Sequence, residues 1–284
     1  MSTLYLVSTP IGNLGDLSPR AAETLRSVDR ILAEDTRRSR LLAERAGSTA
    51  PLVSLHEHNE RAREEVVLAW LAGGERLALV SDAGTPLVSD PGARLVGAVL
   101  AAGHDVVPIP GPSAVLAALV GSGFVTERFT FLGFPERKGS ARRALLERAA
   151  RSEDAVILFE SANRLVELLD ALAEACGPER RVAVARELTK LHEEFVRGTL
   201  GEAAAYYREH PPKGEVTVVL EPASPEDAAA EDREDEARAL ATELLARGTR
   251  PSQVAKELAD RLDLPRNAAY RIVHELGPEG EEMP

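Results

Sequence analysis

Short apolar runs rich in β-branched residues alternate with helix-like segments through the first part of this chain. Several of the helix-like segments carry explicit end signals. Ser18 precedes Pro19 at one helix start, and Gly47 follows the end of another helix. Strands and helices that alternate at this spacing predict a largely parallel sheet covered by helices on both faces. The five strand-like runs are Leu4–Val7, Arg30–Ala33, Leu52–Leu55, Leu77–Val80 and Val106–Ile109.

A second α/β unit is predicted to begin near Phe124. Its late strands follow one another closely, which favours a mixed sheet over a purely parallel one. Three helices are expected between the strands, at Ala141–Ala150, Asn163–Cys176 and Gly201–Glu209. The predicted strands are Phe129–Leu132, Ala155–Phe159, Val182–Ala185, Phe195–Arg197 and Val216–Leu220.

The C-terminal part has a different composition. Pro222–Pro225 and the acidic run Glu231–Glu236 predict a linker that leads into a helix, and a solvated helix start is the preferred interpretation of the acidic run. Helices are expected to follow at Arg250–Leu262 and Arg266–Leu276. The predicted fold is α/β and two-lobed, with a parallel Rossmann-like sheet, a second mixed α/β lobe and a small C-terminal helical domain. The expected domains are an N-terminal α/β lobe at 1–122, a second α/β lobe at 123–222 and a helical tail at 232–284.

Composition narrows the function classes. In 284 residues, 44% are hydrophobic and 28% are charged, which is typical of a globular protein with a sizeable core. No apolar run approaches the ~20 residues of a membrane-spanning helix, so we expect a cytoplasmic protein without membrane contact. Cys176 is the single cysteine, which excludes an internal disulfide and a cysteine metal cluster. The net charge of −12 disfavours a general nucleic-acid coat protein but permits one local basic face.

Glycine and proline concentrate in the loops that follow the predicted parallel strands. Ligands of parallel α/β sheets bind at the carboxyl ends of the strands, where such loops let main-chain amides approach them. Neither a GxxxxGK[ST] phosphate loop nor a dinucleotide fingerprint is present, since Gly12 and Gly15 give only G-x-x-G. The loops therefore predict a nucleoside-like ligand held by backbone groups. They are Thr9–Asp16, Glu34–Arg37, Ser81–Pro86, Ser89–Gly92 and Pro110–Ala114.

Several long motifs follow one another along the chain: TPIGNLGDLSPRA, AEDTRRSRLL, LHEHNE, ALVSDAGTPLVSDPG, VVPIPGPSA, FESANRL, ARELTKLHEEF and KGEVTVVLE. In this order they resemble one family, the bacterial 16S ribosomal RNA (cytidine-2′-O)-methyltransferases of the tetrapyrrole-methylase superfamily. The resemblance covers roughly residues 3 to 221, and the tail is also similar to the family's helical end.

The resemblance implies a homodimer that binds S-adenosylmethionine between two lobes and acts on 16S ribosomal RNA or the small ribosomal subunit. Lys213, Gly214 and Glu215 would close the cleft from the second lobe. The GxGPGD loop typical of the tetrapyrrole branch is replaced here by Pro10–Asp16, which disfavours a corrin or porphyrin substrate. The other cofactor-binding residues that the resemblance implies are Pro10, Ile11, Gly12, Asp82, Ala83, Gly84, Thr85, Pro86, Pro110, Gly111, Pro112, Ser113 and Ala114.

Methyl transfer to a ribose hydroxyl needs close positioning and benefits from a base or cation, because the protonated hydroxyl is a poor nucleophile. Asp35, Glu187 and Lys190 are the candidates. Glu187 and Lys190 lie just past a strand end, and a surface ion pair is the competing interpretation. No metal is expected, because His56 and His58 alone do not make a site.

RNA binding requires cations, and the segment from Glu136 to Arg151 carries six positive and two negative side chains within an acidic chain. A solvated helix face is the alternative for this segment, and core packing is the alternative for the tail helices. The predicted RNA-binding residues are Arg37, Arg38, Arg137, Lys138, Arg142 and Arg143.

Two rival functions stay open at this point. One is methylation of a tetrapyrrole or another small acceptor, and the other is a catalytically silent RNA-binding or assembly factor. The basic segment favours RNA over a tetrapyrrole, and the presence of Glu187 and Lys190 disfavours the silent factor.

Overall fold

A computed structural model describes residues 2–56, 58–124, 127–262 and 264–276, with the side chains of 225–235 left out. Contacts divide the chain into two compact units. The first contains Met1–Ala150 and Asp154–Glu221, and the second contains Arg151–Glu153 and Pro222–Pro284.

The first sheet is purely parallel, in the order β3-β2-β4-β1-β5. This confirms the sheet that the alternating pattern predicts. Its strands are β1 (Thr3–Val7), β2 (Arg30–Ala33), β3 (Leu52–Ser54), β4 (Leu77–Val80) and β5 (Asp105–Ile109). The helices that follow them are α1 (Pro19–Ser27), α2 (Thr36–Ala46), α3 (Glu60–Ala72), α4 (Ala93–Ala101) and α5 (Ala114–Ser122).

Local sequence signals set the helix ends. The Ser18 side chain caps α1 by accepting a hydrogen bond from the Ala21 amide, and Pro19 occupies the first turn. Gly47 ends α2 in the left-handed conformation. Residues of α1 and α2 pack on one face of the sheet and residues of α3 and α4 on the other, so both faces are buried.

The second sheet is mixed, in the order β6-β7-β10-β8-β9, with one parallel pair and three antiparallel pairs. A mixed sheet is what the closely spaced late strands predict. Its strands are β6 (Phe129–Phe131), β7 (Ala155–Ser161), β8 (Arg181–Arg186), β9 (Glu194–Thr199) and β10 (Glu215–Leu220). Helices α6 (Ser140–Ala150), α7 (Leu165–Cys176) and α8 (Leu200–Glu209) belong to the same half, and short 3-10 turns lie at Leu14–Asp16 and Ala162–Arg164.

Helix α5 joins the two sheets. Its Val115 and Ala118 lie in one apolar cluster with Ile157 and Val219 of the second sheet. Along β10, Val218 faces the opposite cluster, where α6, α7 and α8 pack. Side chains alternate across a strand, so both faces of this sheet are covered.

The second unit is helical and has its own apolar cluster. Its helices are α9 (Pro225–Ala246), α10 (Pro251–Leu262) and α11 (Arg266–Leu276). The acidic run 231–236, for which a solvated helix start was the preferred interpretation, lies inside α9. None of the described helices combines the length and apolar character that a bilayer crossing requires.

Candidate active site

Three glycine- and proline-rich loops meet at the carboxyl edge of the first sheet. Thr9, after β1, exchanges two main-chain hydrogen bonds with Gly84, after β4, at N···O distances of 2.8 and 3.1 Å. The Thr85 hydroxyl donates to the carbonyl of Pro112, after β5, at 3.2 Å. The strand order places β1 between β4 and β5, so these contacts follow from the topology.

Glycine is required at two of these positions. Gly84 has φ +79°, and an added Cβ would lie 3.2 Å from Ile11 Cγ2. Gly111 would place a Cβ 2.9 Å from the Cβ of Ser8. A bulkier residue at either position would strain the backbone or displace the neighbouring loop.

A cavity of about 370 Å³ opens beside these loops and extends to the second sheet. Among the residues that the resemblance implies for the cofactor, Pro10, Gly12, Pro86, Pro110, Gly111 and Pro112 lie outside the lining and shape the loops behind it. The lining residues among that set are Ile11, Asp82, Ala83, Gly84, Thr85, Ser113, Ala114, Gly214 and Glu215. Arg38, Val88, Ser89, Asp90, Phe134, Phe159, Glu160 and Thr217 also line the cavity.

Asp35 has a structural role at the edge of the site. Its carboxylate caps α2 through the Arg37 amide at 2.8 Å and pairs with the Arg37 guanidinium at 2.9 Å. These hydrogen bonds lower the pKa of Asp35 to about 2. A carboxylate held so firmly in the charged form is a poor base at neutral pH. Its geometry therefore argues against the proton-accepting role considered for Asp35.

Asp82 links two loops. Its carboxylate accepts from the Asp35 amide at 3.1 Å and from the Arg38 guanidinium at 3.2 Å. Arg37 and Arg38, predicted to bind RNA, are exposed, but each is paired with a carboxylate of the site.

Asp90 is the carboxyl group of the cavity with the most altered acidity. Burial raises its pKa to about 6, and the nearby charge of Glu34 contributes in the same direction. Burial also raises the pKa of Glu34. Asp90 lies in a loop in which Leu87 and Ser89 have φ of +71° and +64°, an uncommon backbone for such residues that is found most often at functional sites.

Lys190 bridges two carboxylates at the second-lobe side of the site. Its ammonium lies 2.8 Å from Glu187 Oε1 and 2.9 Å from Glu215 Oε2. Burial lowers the pKa of Lys190, but the two carboxylates outweigh it and hold the pKa above its ordinary value. The hydrogen bond from Lys190 lowers the pKa of Glu187. Both shifts favour the charged forms of Lys190 and Glu187, so the pair provides fixed charge.

Close contacts fix the loop that carries Lys190. Glu187 and Thr189 have φ of +51° and +65°. A Cβ on Gly12 would lie 2.4 Å from Lys190 Cγ and 2.9 Å from the Leu188 carbonyl oxygen. The first-strand loop and the Lys190 loop therefore touch, although Gly12 does not line the cavity.

The basic segment from Glu136 to Arg151 is only partly available to a ligand. Arg137, Lys138 and Arg143 are exposed and have no carboxylate partner among the residues that the structure describes. Arg142 is buried, donates to the Glu136 carbonyl at 3.0 Å and pairs with Glu167 at 3.4 Å. The charge count did not reveal that one side of α6 faces inward, so Arg142 has to be corrected from an RNA contact to an anchor of the preceding loop.

Several residues of the cavity wall were given no functional role from the sequence. Asp90 lies in the predicted loop Ser89–Gly92 and Phe159 ends a predicted strand, whereas Phe134 and Glu160 lie outside the predicted strands. The FESANRL motif was the available signal for Phe159 and Glu160. In the described part of the chain, no three His, Cys, Asp or Glu side chains are placed to hold a metal ion.

Comparison with known proteins agrees with this architecture. Residues 3–204 match the sequence model of the family described as Tetrapyrrole (Corrin/Porphyrin) Methylases. Uroporphyrin-III-C-methyltransferase from Thermus thermophilus superposes with TM-score 0.54 at 20% identity, over 77% of this chain and 94% of that one. Cobalt precorrin-4 methyltransferase gives TM-score 0.61 at 17% identity with the same coverage. At these identities the likeness shows the fold, and the match over residues 3–204 places the chain in the tetrapyrrole methylase class.

More similar relatives narrow the class. "Ribosomal RNA small subunit methyltransferase I" of Synechocystis sp. is 47% identical over 99% of this chain and 100% of the relative. The protein of that name from Bacillus subtilis is 40% identical over 96% of this chain and 94% of the relative. The chain therefore belongs to the tetrapyrrole methylase family, in the branch formed by relatives of that name.

Proposed function

We propose that this protein transfers a methyl group from S-adenosylmethionine to 16S ribosomal RNA of the small ribosomal subunit, at the 2′-hydroxyl of a cytidine ribose. The observation that carries the proposal is the near full-length similarity to relatives named as small-subunit ribosomal RNA methyltransferases. The choice of ribose and of cytidine follows the motif resemblance. A cytoplasmic location, where ribosomes are assembled, is part of the proposal.

The residues around the cavity beside the three glycine- and proline-rich loops fit the proposed methyl donor. The cavity volume of about 370 Å³ lies within the range of small-ligand sites. Gly84 lines the cavity without a side chain, Ser113 caps the N-terminus of α5 where a carboxylate would be favoured, and Asp82 offers an acceptor for an ammonium group. When bound, S-adenosylmethionine supplies an electrophilic methyl group on a sulfonium.

The chain's own contribution is positioning and charge. We propose Asp90 as the proton acceptor, because it lines the cavity and its pKa of about 6 suits a base near neutral pH. Lys190 and Glu187 are proposed to act as a fixed charge cluster that orders the loop 187–190 against Gly12. Arg137, Lys138 and Arg143, with Arg37 and Arg38, are the proposed RNA contacts.

Label transfer tests this assignment. Wild-type protein and methyl-tritiated S-adenosylmethionine are incubated in three separate reactions, with small ribosomal subunits, with naked 16S RNA and with a porphyrinoid. We expect label in RNA. Label on the porphyrinoid alone would establish the small-acceptor function instead, and cofactor binding without transfer to any acceptor would favour a silent RNA-binding factor.

Two left-handed glycines provide a matched pair for this assay. Gly84→Ala and Gly74→Ala both add a Cβ at positive φ, but Gly74 has nothing within 4 Å of the added atom. Calorimetry should show weaker cofactor binding for Gly84→Ala and nearly unchanged binding for Gly74→Ala. Equal binding by both variants would contradict the placement of the cofactor.

A further inference from the structure

Phe134 is an exposed aromatic residue with a supported ring. It follows β6, and 58% of its surface is exposed. Its ring centroid lies 5.3 Å from that of Phe159, which in turn packs edge-on against Phe131 at 4.8 Å. The Phe134 ring therefore packs against the Phe159 ring while much of its surface stays open to solvent.

The segment 133–139 that presents Phe134 is held by hydrogen bonds to its main-chain carbonyls. Gly133 and Gly139 adopt left-handed backbone, with φ of +68° and +97°. Between them, the Pro135 carbonyl accepts from Arg164 Nη2 at 2.9 Å and the Glu136 carbonyl accepts from Arg142 Nη1 at 3.0 Å. A loop fixed in this way loses little conformational entropy when a ligand binds.

Phe134 lines two neighbouring cavities. One is the proposed methyl-donor cavity, and the other has a volume of about 400 Å³ and is also lined by Arg137, Lys138 and Arg164. Arg164 pairs with Glu160 at 3.2 Å, and Glu136 also lines the second cavity. The cations of this cavity that have no carboxylate partner among the described residues are Arg137 and Lys138. An exposed ring beside two unpaired cations matches the chemistry of an unpaired nucleotide, which offers a flat base and a phosphate.

We propose that Phe134 is the stacking platform for an unpaired base of the RNA substrate, with Arg137 and Lys138 contacting the adjoining phosphates. A nucleotide stacked there spans both cavities, which brings its sugar towards the methyl-donor cavity. Arg142 and Arg164 are positioning residues that hold the platform. The inference rests on the proposed function, since it takes RNA as the substrate.

The test uses a short single-stranded RNA with one 2-aminopurine, whose fluorescence is quenched when it stacks on an aromatic ring. Phe134→Leu removes the π-face while keeping an apolar side chain, and Phe134→Tyr restores a ring. We expect Phe134→Leu to weaken RNA binding about tenfold and to abolish the protein-induced quenching. Phe134→Tyr should retain both, and the melting temperature should stay near wild type in each variant.

Phe129→Leu is the matched control, because Phe129 is also exposed, at 42%, and lines neither cavity. Binding and quenching by Phe134→Leu at the level of Phe129→Leu would overturn the proposal. An equal loss in Phe134→Tyr and Phe134→Leu would also overturn it, since a ring would then not suffice.

Wild-type protein separates this inference from the proposed function. Wild type that methylates RNA while Phe134→Leu keeps its affinity and quenching refutes the stacking platform alone. Wild type that neither binds nor methylates RNA, but labels a porphyrinoid, refutes the proposed function and the inference with it.

Discussion

Two carboxylates near the cavity have acidities shifted in opposite directions by their surroundings. Arg37 holds the pKa of Asp35 at about 2, whereas burial raises that of Asp90 to about 6. Both positions were visible in the sequence, but only the fold shows that Asp35 caps a helix and that Asp90 lies near Glu34. The choice between the two as a proton acceptor therefore depends on tertiary structure.

Asp90→Asn should make the stability of the protein less dependent on pH. Because the folded pKa of Asp90 exceeds its unfolded value, ionising this group costs stability as the pH rises from about 4 to about 6. The amide removes that cost, so we expect a gain of about 1 kcal/mol at pH 8, reduced from the full shift because the group is half-exposed. Thermal unfolding at pH 4 and pH 8 measures it, and an equal change at both values would contradict the raised pKa.

Lys190→Met should slow methylation while leaving cofactor and RNA bound. The substitution leaves Glu187 and Glu215 without their shared cation, so the loop 187–190 loses the positive charge that bridges the two carboxylates. We expect a single-turnover rate about 10²-fold lower, with partial recovery in Lys190→Arg. A wild-type rate for Lys190→Met would show that the cluster has no part in the reaction.

At the scale of elements, the contact between the first-strand loop and the loop 187–190 depends on the absence of a side chain at Gly12. Gly12→Ala places a methyl group against the Leu188 carbonyl oxygen. Because this oxygen belongs to the backbone, it cannot move aside as a flexible side chain could. We expect slower methylation and a lower melting temperature.

Gly97→Ala is the opposite case. Gly97 lies exposed within α4, and an added Cβ has nothing within 4 Å. Alanine is the better helix former, so denaturant unfolding should show a gain of about 0.5–1 kcal/mol with unchanged methylation. Destabilisation by Gly97→Ala would show that α4 is packed differently.

Most elements were predictable because their signals are local. Alternation of strands and helices, the Ser18 cap and the Gly47 stop are written in adjacent residues, and each appears where expected. Helix α9 begins at Pro225, a few residues before the acidic run that was interpreted as the helix start, because proline and acidic residues suit a linker and a first helical turn equally. The packing of α5 on the second sheet and the inward face of Arg142 needed long-range contacts that no window of sequence contains.

At the scale of the whole molecule, an acidic protein is proposed to bind RNA through a small basic surface. Replacing Arg137 and Lys138 with Gln should reduce the slope of log affinity against log salt by about 1.4, at roughly 0.7 per lost phosphate contact with single-stranded RNA. Arg142→Gln should weaken binding and leave the slope unchanged, because Arg142 holds the loop. RNA titrations at several salt concentrations measure both. A slope change in Arg142→Gln alone would reverse these roles.

The motif resemblance implies a homodimer, and we propose that its interface includes an exposed apolar surface on α5. Leu116 and Val120 lie one helical turn apart and are 51% and 80% exposed. Burying them between two copies would be favourable. We expect sedimentation velocity to show a dimer for wild type and a shift towards monomer for Val120→Glu. A wild-type monomer at all concentrations would contradict the dimer.

The central claim is methylation of a cytidine ribose, and alkaline digestion of labelled 16S RNA tests it most directly. A 2′-O-methyl group blocks cleavage of the adjoining phosphodiester, because alkaline hydrolysis needs the free 2′-hydroxyl. The account predicts that tritium from the cofactor appears in alkali-stable dinucleotides whose first nucleoside is 2′-O-methylcytidine, and that Gly84→Ala gives much less of them than Gly74→Ala. Label released entirely in mononucleotides would place the methyl group on a base and contradict the account.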